Sequence, residues 1–150
     1  MFVLAFAAFV FWRSDRVQSS LQQHRLGPFL HAYQLRGVTG QSDMTRGVKH
    51  LTYASDDGLV FEVRLRGRRL LESWVMAQGE GWTKNFSSTL KVFGDHYAAV
   101  AGLASNSASV NNYRTWLRPY LQKRRTRLLT FKQYKVDLQF APAFIIQDVQ

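Results

Sequence analysis

The alternation on either side of Asp57-Gly58 constrains this chain more than any other feature. Lys49 to Ala54 (KHLTYA) and Leu59 to Arg66 (LVFEVRLR) flank Ser55-Asp56-Asp57-Gly58. Gly58 can supply the positive φ that a tight hairpin turn needs. In the second segment Leu59, Phe61, Val63 and Leu65 alternate with Val60, Glu62, Arg64 and Arg66. Successive strand side chains point to opposite faces. One face is therefore apolar and the other largely charged, as in a half-buried sheet. Gly67 permits another turn, and Leu70 to Met76 (LLESWVM) reads as a third strand. The centre of the chain is an antiparallel meander.

Helical patterning follows the meander. Ser87 or Ser88 can cap a helix over residues 88–104, where Leu90, Phe93, Tyr97, Val100, Ala101 and Ala104 recur at three- and four-residue intervals. Asn106 to Ser109 breaks it and offers new caps. A second helix carries Val110, Tyr113, Trp116, Leu117 and Leu121 on one stripe. Pro119 falls inside it and predicts a kink or a restart, because proline has no N–H to donate. Tyr134, Val136, Leu138 and Phe140 then alternate with polar residues as a strand, and residues 143–146 read as a short edge strand beyond Pro142. Residues 77–86 read as a loop with Trp82 at its tip. Before the meander, residues 13–33 are amphipathic up to a break at Gly27-Pro28, and residues 36–47 read as a Gly-rich loop. That loop lacks the GxxxxGK[ST] order of a phosphate loop.

The expected fold class is α+β. An antiparallel β-meander plus a C-terminal strand packs on two central helices, with an N-terminal apolar or amphipathic helix. The 150 residues and 46% hydrophobic content suit a single domain with a real core. Residues 13–150 form that basic domain, and residues 1–12 form an anchor or docking segment.

Phe2 to Trp12 (FVLAFAAFVFW) is uniformly apolar and is followed by Arg13 and Arg16. Eleven helical residues cover about 16 Å, against about 30 Å for a hydrocarbon core, so the run is too short to span a bilayer. Arg-Ser-Asp-Arg after it is not a signal-peptidase site. Three placements fit: an interfacial membrane anchor, a core element, or a segment docked on another subunit. Phe2, Leu4, Phe6, Phe9, Phe11 and Trp12 are the candidate docking residues. If the run inserts, the positive charges after it leave residues 13–150 on the cytoplasmic or matrix side.

The charge balance points to anionic partners. Net charge is +10, and no Asp or Glu lies between Asp95 and Asp137. Arg114, Arg118, Lys123, Arg124, Arg125 and Arg127 lie in that interval, on or just after the second helix, with Lys132 and Lys135 beyond. Arg64, Arg66, Arg68 and Arg69 form a second cluster on the meander. A solvated basic face accounts for charge runs like these. They also suit carboxylates or phosphates, which arginine grips with a fork of donors. Tyr113, Trp116, Tyr120, Phe131 and Tyr134 interleave with the cations, a mixture used by single-stranded nucleic-acid binders and by membrane-surface helices. No RRM, KH or zinc-finger pattern sharpens the choice.

Catalytic features are sparse. His24, His31, His50 and His96 are scattered and form no metal-ligand spacing. Asp95 and His96 are adjacent, but consecutive helical residues point about 100° apart, so they are no ready-made dyad. There is no cysteine, which excludes thiol chemistry and disulfides. No cofactor is expected. These features describe a non-enzymatic accessory subunit of a larger membrane-associated assembly, docking through its apolar N-terminus and its basic surface. Its partners are other protein subunits, with an anionic lipid surface as a further neighbour. The rival expectation is a nucleic-acid-binding component of a ribonucleoprotein-type complex.

Overall fold

A computed structural model describes residues 26–38 and 47–150. The apolar run Phe2–Trp12, the amphipathic stretch up to Arg25 and most of the Gly-rich loop lie outside the described residues. The elements run α1 (Gly27–Ala32), β1 (Arg36–Gly37), β2 (Val48–Ala54), β3 (Leu59–Arg66), β4 (Arg69–Gln78), α2 (Glu80–Thr83), α3 (Phe86–Ala101), α4 (Ala108–Lys123), β5 (Arg127–Phe131), β6 (Tyr134–Ala141) and β7 (Phe144–Val149). The strands form one seven-stranded sheet in the order β1-β2-β3-β4-β7-β6-β5, with every neighbour antiparallel. Two meanders thus meet at β4 and β7, and the helices fill the connection between them. This is the expected α+β class.

The alternating pattern decides which sheet face meets the helices. Leu59, Phe61, Val63 and Leu65 are buried, while Arg64 and Arg66 are exposed. Leu51 and Tyr53 of β2, Val75 and Ala77 of β4, Ile145 and Val149 of β7, and Val136 and Leu138 of β6 continue the buried face. Val92, Phe93, Tyr97, Val110, Tyr113 and Leu117 of the two long helices close over it. The Phe61 ring packs edge-on against Phe29 and His96, which places α1 and α3 on the same side. A bulge between Arg64 and Leu65 shifts the β3–β4 register.

The hairpin turn explains its glycine. Gly58 has φ +97°, and a Cβ there would approach the Gln78 carbonyl oxygen to 2.5 Å. Gln78 N–H donates to Gly58 O at 2.9 Å, so the turn is bonded to the end of β4. Only glycine satisfies both demands.

Five expectations need correction. Arg36–Gly37, read as the start of the Gly-rich loop, form β1 and pair with β2. Trp82 is not the tip of a loop. It lies in the short helix α2, packs against the core, and donates from Nε1 to Asp57 O at 2.7 Å. The last strand is not a short edge strand over 143–146. Phe144–Val149 is interior, paired with both β4 and β6. The edge on that side is β5, which the sequence pattern misses. Finally, α4 runs unbroken through Pro119. The bond it forfeits would have reached the Thr115 carbonyl, and both residues sit on the exposed side, where water can serve that oxygen. Among the described residues no helix is long and apolar enough to cross a membrane.

Candidate anion-binding groove between the long helices

Helix α4 is capped within the polar break that its sequence offers, but α3 starts two residues earlier than expected and its cap is Asn85, not Ser87 or Ser88. Asn85 Oδ1 accepts from Ser88 N at 3.1 Å to start α3, and Ser107 Oγ accepts from Val110 N at 3.4 Å to start α4. Gly102 and Arg124 end them in the left-handed conformation. Cross-links show that the helices run antiparallel. Arg114 reaches Asp95, and ten residues later Arg124 Nη2 donates to Thr83 O at 2.8 Å, just before α3.

Gly94 makes the close crossing. A Cβ at this position would overlap Cγ, Cδ and Nε of Arg114. With no side chain there, Arg114 lies across α3 and its Nη2 meets Asp95 Oδ1 at 2.5 Å. The other Asp95 oxygen accepts from Tyr33 OH. Arg114 Nη1 donates to Ser105 O at 3.0 Å and to Asn111 Oδ1 at 3.3 Å, while its buried Nε has no partner. Burial first, and then the Asp95 carboxylate, push the Tyr33 phenol upward. One carboxylate thus ties the residue after α1 to α3 and α4. The Arg114 and Asp95 side chains are 21% and 16% exposed. Asp95→Ala would strand the Arg114 charge and the Tyr33 hydroxyl, and should cost about 2–3 kcal/mol. Chemical denaturation measures this; a loss below about 0.5 kcal/mol would mean that the pair behaves as a surface contact.

One turn further along α4 a groove opens between the helices. It holds about 330 Å³ and is lined by Phe86, Ser87, Leu90, Lys91, Arg114 and Arg118. Among the described residues three cations and no carboxylate line it. Arg114 is neutralised by Asp95, but Lys91 and Arg118 are exposed and make no ion pair or side-chain hydrogen bond among the described residues.

The rest of the basic stretch divides among several elements rather than lying on one helix. Helix α4 ends at Lys123, Arg124 caps it, and Arg127 opens β5. Lys123 and Arg125 are exposed, Arg127 stacks over Tyr120 at 5.9 Å, and Lys132 lies 5.7 Å from the Phe131 ring. The interleaved aromatics turn inward. Tyr97 and Tyr113 stack at 4.0 Å, and Phe131 packs on Tyr97, Tyr113 and Trp116.

The structure does not bring the second arginine cluster to this place. Arg64 and Arg66 project from the sheet face opposite the helices, and Arg68 and Arg69 lie at the β3–β4 turn. Arg64 pairs with Glu72 at 3.0 Å. The two clusters therefore do not form one surface.

Two polar groupings went unread in the sequence. The first is fully buried. Ser73 Oγ and His96 Nε2 share a 2.7 Å hydrogen bond, and Gln147 Nε2 donates to Tyr113 OH. Burial lowers the His96 pKa to about 3. Asp95 and His96 diverge as their helical spacing requires, one toward Arg114 and the other into the core. The second grouping lies on the opposite sheet face, where Glu62, Glu72, Asp137 and Asp148 sit on four different strands. Burial, and then repulsion from Glu72, push the Asp148 carboxyl up to about 7. Its Oδ1 is buried without a partner. Among the described residues no cluster of three His, Asp or Glu side chains could hold a metal ion. Period-two alternation could have placed these carboxylates on one face, had the partner of β4 been known.

No family model, curated protein or solved structure matches this chain.

Proposed function

We propose that this protein is a non-enzymatic accessory subunit of a membrane-associated assembly, docking through its apolar N-terminus and through the basic surface of α4. One observation carries the reading. The cations at the end of α4 face outward while the rings between them are spent on packing. Lys123 and Arg125 are exposed without a partner among the described residues, whereas Tyr113 is buried and Trp116 and Tyr120 are half-buried against neighbouring rings. A single-stranded nucleic-acid platform needs its rings free to stack on bases. A docking face for an acidic or lipid partner needs only the charges.

Deleting residues 1–12 tests this. The truncated protein should unfold cooperatively, with its midpoint near that of the full chain, but should leave the membrane fraction after cell breakage. Loss of cooperative unfolding, or unchanged membrane recovery, would sink the reading. Tight, sequence-tolerant binding of single-stranded RNA at physiological salt, abolished by charge reversal at Lys123 to Arg127, would favour the ribonucleoprotein role instead.

A further inference from the structure

We propose that the groove between α3 and α4 is a phosphate-binding site, with Arg118, Lys91 and Ser87 as its donors. The proposal rests on the reading of the α4 surface as an anion-docking face, and it gives that face a chemical focus.

The donor set favours phosphate over a lone carboxylate. A guanidinium, an ammonium and a hydroxyl line the same groove from two helices. A planar carboxylate is satisfied by one guanidinium fork, whereas a tetrahedral phosphate presents oxygens in several directions and uses all three. Neither Lys91 nor Arg118 has a competing partner among the described residues, so the ligand displaces no internal ion pair. Arg114 also lines the groove, but it keeps its own carboxylate and adds little net charge there.

The setting reinforces the donors. Ser87 stands in the first turn of α3, a sixteen-residue helix whose N-terminal dipole favours an anion. Asn85 accepts the Ser88 N–H, so that amide is not offered to the ligand and the phosphate is held by side-chain donors. Phe86 and Leu90 give the groove an apolar wall. That wall suits the carbon skeleton next to a phosphoester and weakens screening of the charges. A volume of about 330 Å³ is at the lower end of small-ligand clefts, enough for a phosphate and the group attached to it. The contact from Arg124 to Thr83 holds Lys123 and Arg125 at the same end of the helix pair, where their field draws anions toward the groove.

A phosphate of this kind comes from a lipid headgroup or from a free phosphoester, and one experiment separates the two. Full-length protein is titrated with inorganic phosphate by NMR, and with phosphatidylcholine vesicles with and without phosphatidic acid. Three variants are compared: Lys91→Gln with Arg118→Gln, Ser87→Ala alone, and a control with Lys123→Gln and Arg125→Gln. Of the five positions, all but Ser87 carry exposed charges unpaired among the described residues, and Ser87→Ala leaves the Asn85 cap in place, so each variant should fold, as thermal unfolding will show. The groove double variant should lose roughly tenfold or more in phosphate affinity, Ser87→Ala a smaller factor, and the control about twofold or less. Parallel loss of phosphatidic-acid binding assigns the site to a lipid headgroup. Retained vesicle binding with lost phosphate binding assigns it to a free phosphoester. The proposal is overturned if wild type shows no saturable phosphate shifts at the groove, if groove and control variants weaken binding equally, or if a glutamate-rich peptide outcompetes phosphate for the same residues. Membrane recovery of the full chain is read separately, so the groove can fail while the docking role stands.

Discussion

Phe61→Asp should destabilise the protein by at least about 3 kcal/mol and, in a domain of ordinary marginal stability, leave little cooperative unfolding at all. Phe61 has no exposed surface and packs against Phe29, Tyr53 and the His96 ring. An aspartate there would lose an aromatic ring's burial and place a carboxylate among rings. Among the described residues no cation is in contact with that ring, and the His96 ring beside it is itself held neutral by burial. The neighbouring change, Glu62→Lys, is the internal control. Reading Glu62 as a plain solvent-facing charge predicts a cost below about 0.5 kcal/mol. The structure raises that figure. Glu62 Oε2 meets His50 Nε2 at 2.6 Å, and Oε1 accepts from Thr52 at 3.2 Å, with the Glu62 side chain 19% exposed. Losing these bonds should cost about 1 kcal/mol. Urea denaturation of both variants decides the matter. If Glu62→Lys proves the more damaging, the assignment of sheet faces is wrong.

The sheet was legible where one face is buried and the turn chemistry is explicit. Leu59 to Leu65 alternate, and Asp57-Gly58 marks the reversal, so strand, face and register follow from period two alone. The same logic failed at both ends of the second meander, for different reasons. In β5, Leu128 points away from the core at 72% exposure while Leu129 points toward it, so adjacent apolar residues hide the alternation. In β7, Gln147 and Asp148 look like the polar close of a strand. Gln147 is instead fully buried against Tyr113, and a core position occupied by an amide cannot be recognised by hydropathy. The groove was half legible. Arg114 and Arg118 stood out as cations four residues apart on a helix, but Lys91 and Ser87 belong to a different helix. Only the antiparallel packing at Gly94 brings them alongside. The helical stripe already pointed Tyr113 and Trp116 inward, but the direction of Tyr120, Phe131 and Tyr134 did not follow from spacing, and that direction separates a stacking platform from a packed core.

Wild-type stability should change little between pH 6.5 and 4, and Asp148→Asn should make it fall steeply over that range. His96 is fully buried among Phe29, Phe61, Ser73 and Gln147, and burial lowers its pKa from 6.5 to about 3. The unfolded chain therefore takes up a proton near pH 6.5 that the folded chain refuses. The sign follows: this contribution is complete above pH 6.5 and is lost as pH falls toward 3. At about 1.4 kcal/mol per pH unit the full loss is on the order of 5 kcal/mol. Asp148 acts in the opposite sense. Burial first, then Glu72 and to a lesser extent Asp137, raise its carboxyl to about 7 in the fold against an ordinary value of 3.8, with a Gln150 hydrogen bond acting the other way. Its contribution is complete below pH 3.8 and is lost as pH rises through 7, and its partial exposure to solvent screens the effect. Between pH 4 and 6.5 the two slopes oppose each other, so wild type should look flatter than either group alone would make it. Asp148→Asn removes one of them. The variant should be more stable than wild type at pH 8, should converge on it below pH 4, and should show the His96 slope undiluted between. Urea midpoints across pH 3–8 for both proteins measure this. A variant whose stability is flat below pH 6.5 would mean that His96 takes up its proton without unfolding the core, and one no more stable than wild type at pH 8 would mean that Asp148 is not held protonated by its surroundings.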